Sequence, residues 1–232
     1  MPLEIKQHYV AFLDVLGFSE MVQFDTINDS EEYLNRLFRC HQRAAAIFDG
    51  SPDCSILQFS DSIVISKPYD STAFEWFVKR VGDYQRLLLD EELLCRGGIA
   101  INKHFSNASF TFSAGLIDAY MVESKMARYP RVVVSPEVLD LALPGRKSIP
   151  PFLVQEDDGL FFVDYLGLTK NKRRKHLHDV VARIVLRLLT SPEPSVREKG
   201  RWLAAYSDAV LPTSLRQARF SGRNIGKLED IG

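Results

Sequence analysis

The apolar positions fall into short runs separated by polar turns, and the runs switch between the strand period and the helix period. Residues His8 to Asp14 (HYVAFLD) are β-branched and aromatic, which predicts a buried strand. The run passes into Val15-Leu16-Gly17-Phe18, where Gly17 permits a tight turn into a helix. Tyr33, Leu34, Leu37, Phe38 and Ile47 then recur at helical spacing within Ser30 to Phe48, with Asn28 or Ser30 as the expected cap. Cys54 to Phe59 and Ser62 to Ile65 read as two strands joined at Ser60-Asp61. Ser71 to Leu89 is an amphipathic helix with Phe74, Phe77, Val78, Val81, Tyr84 and Leu88 on one side. Arg96 to Asn102 is strand-like, Ser109 to Phe112 pairs back on it, and Leu116 to Ala127 is helical. Arg131 to Ser135 is another strand, and Pro136 opens a short helix.

This order, β-α-β-β-α-β followed by a further helix and strand, predicts an α+β fold with a ferredoxin-like core. After about residue 149 the texture changes. Phe152 to Val154 and Leu160 to Tyr165 flank Asp157-Asp158-Gly159, a hairpin signal, and two helical patterns follow at Leu177 to Leu189 and Ser195 to Leu211. The division is therefore a core over 1–149 and an extension of the same domain over 150–232.

Composition narrows the function classes. Of the 232 residues, 46% are hydrophobic and 25% charged, and the formal net charge is −1, so no global attraction to nucleic acid or to an acidic membrane is expected. The basic run from Lys170 to Lys175 is short enough to be a solvated loop or helix start. Cys40, Cys54 and Cys95 form no CxxC pair, which fits a reducing, cytoplasmic setting and argues against structural zinc. The first residues lack the apolar stretch of a signal peptide, and no apolar run is long enough for a membrane span. The five histidines show no metal-ligand spacing, and no GxSxG or Walker-type loop is present.

Two acids stand out by position. Asp14 ends an apolar strand, and Asp61 sits at the tip of an apolar hairpin. In the split βαβ order those strands are neighbours, so the two carboxylates come together. They repel unless cations neutralise them, and a pair of Mg²⁺ or Mn²⁺ ions suits such hard oxygen ligands. Metal ions so held can activate a hydroxyl and stabilise a transferring phosphoryl group. The competing reading of either residue is a plain turn aspartate.

The string Phe12-Leu13-Asp14-Val15-Leu16-Gly17-Phe18-Ser19 resembles the FxDxxGFT signature of class III nucleotidyl cyclases. Phe59-Ser60-Asp61-Ser62-Ile63-Val64-Ile65 resembles their second metal motif, with Ser60 in place of the usual glycine. Arg96-Gly97-Gly98-Ile99 resembles their RxGI strand, and Leu116 to Ser135 their next helix and strand. The resemblance implies a class III cyclase core with Asp14 and Asp61 as metal ligands, assisted by the Val15 carbonyl, for two Mg²⁺ or Mn²⁺ ions. It implies phosphate contacts from the backbone of Leu16, Gly17 and Phe18 and from Arg96, and a homodimer with sites at its interface. Aligned on Ala119, the same helix carries Ile117 and Met121 where purine cyclases have an Asn and a transition-state Arg. Leu57 stands where adenylyl cyclases carry a base-reading Lys.

The block LIDAYMVESKMARYPRVVVS and the stretch Glu198 to Tyr206 resemble the bacterial pyrimidine cyclases of Pycsar antiphage systems. That resemblance implies conversion of UTP, or less favourably CTP, to a 3′,5′-cyclic monophosphate that activates a separate effector. Tyr120, a substrate-binding candidate, and Glu123 and Arg131 are the residues available to replace the lost groups; Lys103 is a further phosphate candidate. The alternatives are a catalytically impaired cyclase-homology module that binds nucleotide, a purine (adenylyl) cyclase, and a metal-dependent phosphodiester hydrolase.

Overall fold

The computed structural model describes residues 4–48, 51, 53–107, 109–145, 149–167 and 174–218. The basic run therefore lies outside the described residues over 170–173. Among the described residues one mixed sheet, mostly antiparallel, is flanked by helices. Its first half is built from β1 (Lys6–Val15), β2 (Ser55–Phe59), β3 (Ser62–Pro68) and β4 (Cys95–Ser106), in the spatial order β2-β3-β1-β4. Every pairing in this set is antiparallel. Helices α1 (Phe18–Ile27) and α2 (Glu32–Phe48) connect β1 to β2, and α3 (Phe74–Asp90) connects β3 to β4. This is the expected split βαβ arrangement of a ferredoxin-like core.

Beyond β4 the sheet continues through β6 (Val132–Val134), which is parallel to β4, then β8 (Phe161–Val163) and β7 (Leu153–Gln155). β5 (Thr111–Ser113) folds back on the end of β4 and leads into α4 (Ala114–Met126). A short α5 (Pro136–Ala142) is capped by the Ser135 hydroxyl, which accepts from the Val138 N–H at 3.3 Å. The helices α6 (Arg174–Leu189) and α7 (Pro194–Val210) pack on each other.

Alternation along β1 sorts its residues between two layers. Tyr9, Ala11, Leu13 and Val15 enter the main core with Ile63, Ile65, Phe77 and Val81, beneath α2 and α3. Val10 and Phe12 face the other way, into a smaller cluster with Val64, Ala100 and Ala119 under α4. Fully burying one such side chain stabilises the fold by roughly 1.5–3 kcal/mol, which makes the register of β1 stringent. The asymmetry also fixes where Asp14 points. It shares the parity of Val10 and Phe12, so it emerges on the α4 side of the sheet.

One local feature differs from the expectations. The helix entered from Gly17 and the helix after Ser30 are separate elements, α1 and α2, with the break where Asp29 takes a positive φ of 49°. Neither Asn28 nor Ser30 caps α2. The Asp25 carboxylate of α1 does so, accepting from the Tyr33 and Leu34 N–H groups at 2.9 Å each, while the Ser30 hydroxyl donates to the same carboxylate at 2.8 Å. A cap supplied from the preceding helix has no short-range sequence signature.

Candidate active site

The end of β1 and the β2–β3 turn are tied together by backbone. The Val15 N–H donates to the Asp61 carbonyl at 3.0 Å, and Asp14 lies opposite Ser62 in the register. Ser60, one residue earlier, has a positive φ of 55°, the left-handed conformation that glycine adopts without a Cβ penalty. The turn keeps its shape with serine, so Asp61 remains at the tip.

Asp14 and Asp61 line one cavity of about 290 Å³ with Gly17, Phe18, Arg96 and Lys199. Val15, Leu16, Ser19 and Glu20 complete its wall. Gly17 turns the chain at φ 78°, and α1 starts immediately after it with no side-chain cap. Among the described residues the N–H groups of Gly17, Phe18, Ser19 and Glu20 have no hydrogen-bond partner, leaving an electropositive helix start open to the cavity. Leu16 departs from the expected phosphate cradle: its N–H is spent on the Leu94 carbonyl at 2.8 Å, so only the amides from Gly17 onward can serve an anion.

Arg96 stands across from Asp14 in the β1–β4 register. Its Nε donates to Asp14 Oδ2 at 3.0 Å and lies 2.7 Å from Glu123 Oε1 of α4. The Glu123 side chain is only 3% exposed. Burial raises its pKa, the Arg96 guanidinium opposes that shift, and the Asp14 charge adds to it, with a net rise. Arg96 is thus a buttressed residue at the floor of the cavity, not a free surface arginine. The approach of α4 that makes this possible depends on Gly98, where a Cβ would collide with the Ala119 carbonyl and lie 2.7 Å from Val122 Cβ.

The remaining candidates are distributed elsewhere. Tyr120 does not line the cavity; it is 51% exposed, and its ring meets Phe12 edge-on at 5.5 Å between centroids. Ile117 and Met121 are exposed on the same stretch of α4. Leu57 packs against the cluster around Phe12, and Lys103 is not part of the cavity wall. Arg131 is unavailable to substrate. It is 2% exposed, and its guanidinium is held by Glu156, by Asp158 at 2.6 Å and by the Met126 carbonyl at 2.9 Å.

Among the described residues no three His, Cys, Asp or Glu side chains cluster as a ready-made metal site. The cavity instead offers the carboxylates of Asp14 and Asp61, that of Glu20 at the start of α1, and main-chain oxygen, with no thiolate or imidazole in its wall. That donor set fits Mg²⁺ or Mn²⁺, which are commonly held by one or two carboxylates together with substrate phosphates. No helix among the described residues is long and apolar enough to cross a membrane.

Sequence reasoning missed Lys199 and Glu20 as wall residues. Glu20 follows from the first turn of α1, but Lys199 arrives from α7, more than a hundred residues after Arg96, and no local pattern announces it.

No family model matches the chain, and no curated protein matches it. Among solved structures it is similar to the adenylyl cyclase CyaB from P. aeruginosa, with 14% identity, 70% of this chain and 96% of that chain covered, and a TM-score of 0.46. It is also similar to the guanylate cyclase domain of RhGC from Catenaria anguillulae in complex with GTP, with 12% identity, 69% and 98% covered, and a TM-score of 0.49. A third similar structure is the catalytic core of a rhodopsin-guanylyl cyclase with converted specificity in complex with ATPalphaS, at 12% identity, 68% and 96% covered, and a TM-score of 0.49.

Proposed function

We propose that this chain is a nucleotidyl cyclase that converts a pyrimidine nucleoside triphosphate, UTP in preference to CTP, to its 3′,5′-cyclic monophosphate and pyrophosphate. The observation that carries the reading is the meeting of Asp14, Asp61, Arg96 and the open start of α1 in one cavity. The four sequence motifs that resemble class III cyclases supply three of those residues and the loop between them.

Asp14, Asp61 and the Val15 carbonyl would hold two Mg²⁺ or Mn²⁺ ions, whose chemistry when bound is to acidify the ribose 3′-hydroxyl and offset charge on the phosphates. The N–H groups of Gly17 and Phe18 and the helix start behind them orient phosphate oxygens. Arg96, fixed by Asp14 and Glu123, meets charge on the leaving pyrophosphate. In the reaction the 3′-oxygen bonds to the α-phosphorus, the bond from that phosphorus to the β-phosphate oxygen breaks, and the hydroxyl proton leaves to solvent. Ile117, Tyr120 and Met121 share one exposed face of α4, and a homodimer would bury that stripe. The setting implied is a cytoplasmic second-messenger synthase of antiphage defence, acting through a separate effector.

Incubating the protein with Mn²⁺ and each of ATP, GTP, CTP and UTP, with products identified by mass, tests the reading. A cyclic monophosphate from UTP or CTP, abolished in folded Asp14→Ala and Asp61→Ala variants, is the expected result. A product from ATP or GTP alone refutes the pyrimidine assignment, and full activity in either aspartate variant refutes the site. The second reading, a nucleotide-binding module without turnover, draws on Ile117 and Met121, neither of which can donate a hydrogen bond to a phosphate. It requires nucleotide binding with no product from any of the four.

A further inference from the structure

The described residues of α7 belong to the C-terminal extension, yet one of them stands in the cavity wall. Lys199 lines the same space as Asp14, Asp61, Gly17 and Arg96. We infer that Lys199 is a phosphate-binding residue, supplied from the C-terminal helix of the same chain to hold the outer phosphates of a triphosphate. The inference rests on the reading of the cavity as a nucleoside triphosphate site.

The placement of Lys199 is set by its neighbours. Gly200 is buried against α6, where a Cβ would lie 2.8 Å from Leu188 Cβ, so α7 sits as close to α6 as backbone allows. Trp202 stacks on Tyr129 at 5.7 Å and 9° between ring planes, and its indole N–H donates to Glu156 at 2.7 Å. Leu203 and Tyr206 are buried in the same cluster. Leu16, in the loop that follows Asp14, packs against that cluster too. The loop and the helix therefore share one apolar anchor, which fixes Lys199 relative to the open amides of Gly17 and Phe18.

The charges explain what Lys199 is free to do. Arg96 is already offset by Asp14 and Glu123. The neighbouring Glu198 is paired with Arg201 at 2.6 Å. Lys199 makes no ion pair among the described residues; its one hydrogen bond there is a long contact to the Ser195 carbonyl at 3.5 Å. Burial lowers its pKa, and the nearby cations Arg96 and Arg128 lower it further. Lys199 shares the cavity wall with Asp14, Glu20 and Asp61 but is paired with none of them, so its ammonium can turn to an incoming anion, on which a lysine acts as a compact point charge. Asp14, Glu20 and Asp61 would offset most of the charge of two divalent ions, and Arg96 is already paired, so much of a triphosphate's charge is left for Lys199 to meet.

The test uses the full chain and inorganic tripolyphosphate, which has no base and cannot be cyclised, with binding measured by calorimetry in Mg²⁺. Lys199→Met keeps the aliphatic stem and Lys199→Arg keeps the charge; Lys199→Gln is measured alongside so that a packing defect in one variant does not decide the result. The expected outcome is binding about tenfold weaker in the Met and Gln variants, equivalent to about 1.4 kcal/mol. The Arg variant should stay within about threefold of the parent, and all three should keep the parent's melting temperature. Parent-like binding in the Met and Gln variants overturns the inference, as does a parent protein that does not bind tripolyphosphate. Lys199-dependent binding without cyclisation of any nucleotide removes the cyclase reading and leaves the phosphate site. Cyclisation by the parent with unchanged binding and turnover in the Met variant removes Lys199 and leaves the cyclase.

Discussion

Arg131 is a buried arginine with three partners. Its guanidinium bonds Glu156, Asp158 and the Met126 carbonyl, and its side chain is 2% exposed. Glu156 in turn accepts the Trp202 indole N–H, so one arginine links α4, the β7–β8 hairpin and α7. Replacing it with methionine removes the cation but not the acids. Glu156 keeps only the Trp202 donor, and the Met126 carbonyl loses its partner. Removing one member of a fully buried pair costs about 3–5 kcal/mol, but the Glu156 side chain is 19% exposed and that of Asp158 39%, so water screens the acids left behind and the cost falls to about 2–3 kcal/mol. For a chain of this size each kcal/mol moves the melting temperature by about 2–4 °C, so Arg131→Met should melt about 4–12 °C lower. The deficit should depend on pH. Burial raises the Glu156 pKa and Arg131 opposes that, so the variant's Glu156 titrates higher still and the variant gains stability as pH falls. Burial also pushes Asp158 upward, but hydrogen bonds from Arg131 and the Leu160 N–H outweigh it and the net shift is downward. The parent therefore loses that contribution as pH falls through the folded-state value. Both effects narrow the gap toward acid. Urea unfolding of the two proteins from pH 7.5 to 4.5 measures it. A deficit below about 1 kcal/mol at neutral pH, or one that does not change with pH, refutes the buried network as a source of stability.

Other perturbations probe the site's supports. Gly98→Ala forces a methyl group onto the Ala119 carbonyl, should destabilise by about 1–3 kcal/mol or more, and should impair whatever activity Arg96 supports; unchanged denaturation and turnover would argue that α4 yields freely. Burial, with His8 adding to it, lowers the His104 pKa from 6.5 to about 4. The unfolded chain binds the proton first as pH falls, so this contribution is intact above about 6.5 and erodes toward 4, by at most about 3 kcal/mol. His104→Gln should flatten the pH dependence of urea unfolding over that range, and an unchanged slope counts against it. Ile117→Glu places a charge on a residue that is 63% exposed on the stripe with Tyr120 and Met121. If that stripe joins two copies, sedimentation should show a dimer for the parent and a monomer for the variant, with little change in melting temperature; a dimeric variant excludes this face.

The element order was legible in the chain because hydrophobic periodicity and turn residues are local. The strand ending at Asp14, the hairpin with Asp61 at its tip and the glycines after Arg96 could all be placed from their neighbours. Parity along β1 even separates Asp14 from the core residues on either side of it. The sequence by itself thus determined which strands exist and which acids lie at their ends. Only the tertiary structure decided how those ends are supported. Asp25 caps a helix it does not belong to, Leu16 loses its amide to Leu94, and Arg131 is drawn into a buried network instead of the cavity. Glu123 finds Arg96, and Lys199 enters the cavity from the far end of the chain. Such long-range placements depend on close approach between whole layers, and no spacing along the chain records it.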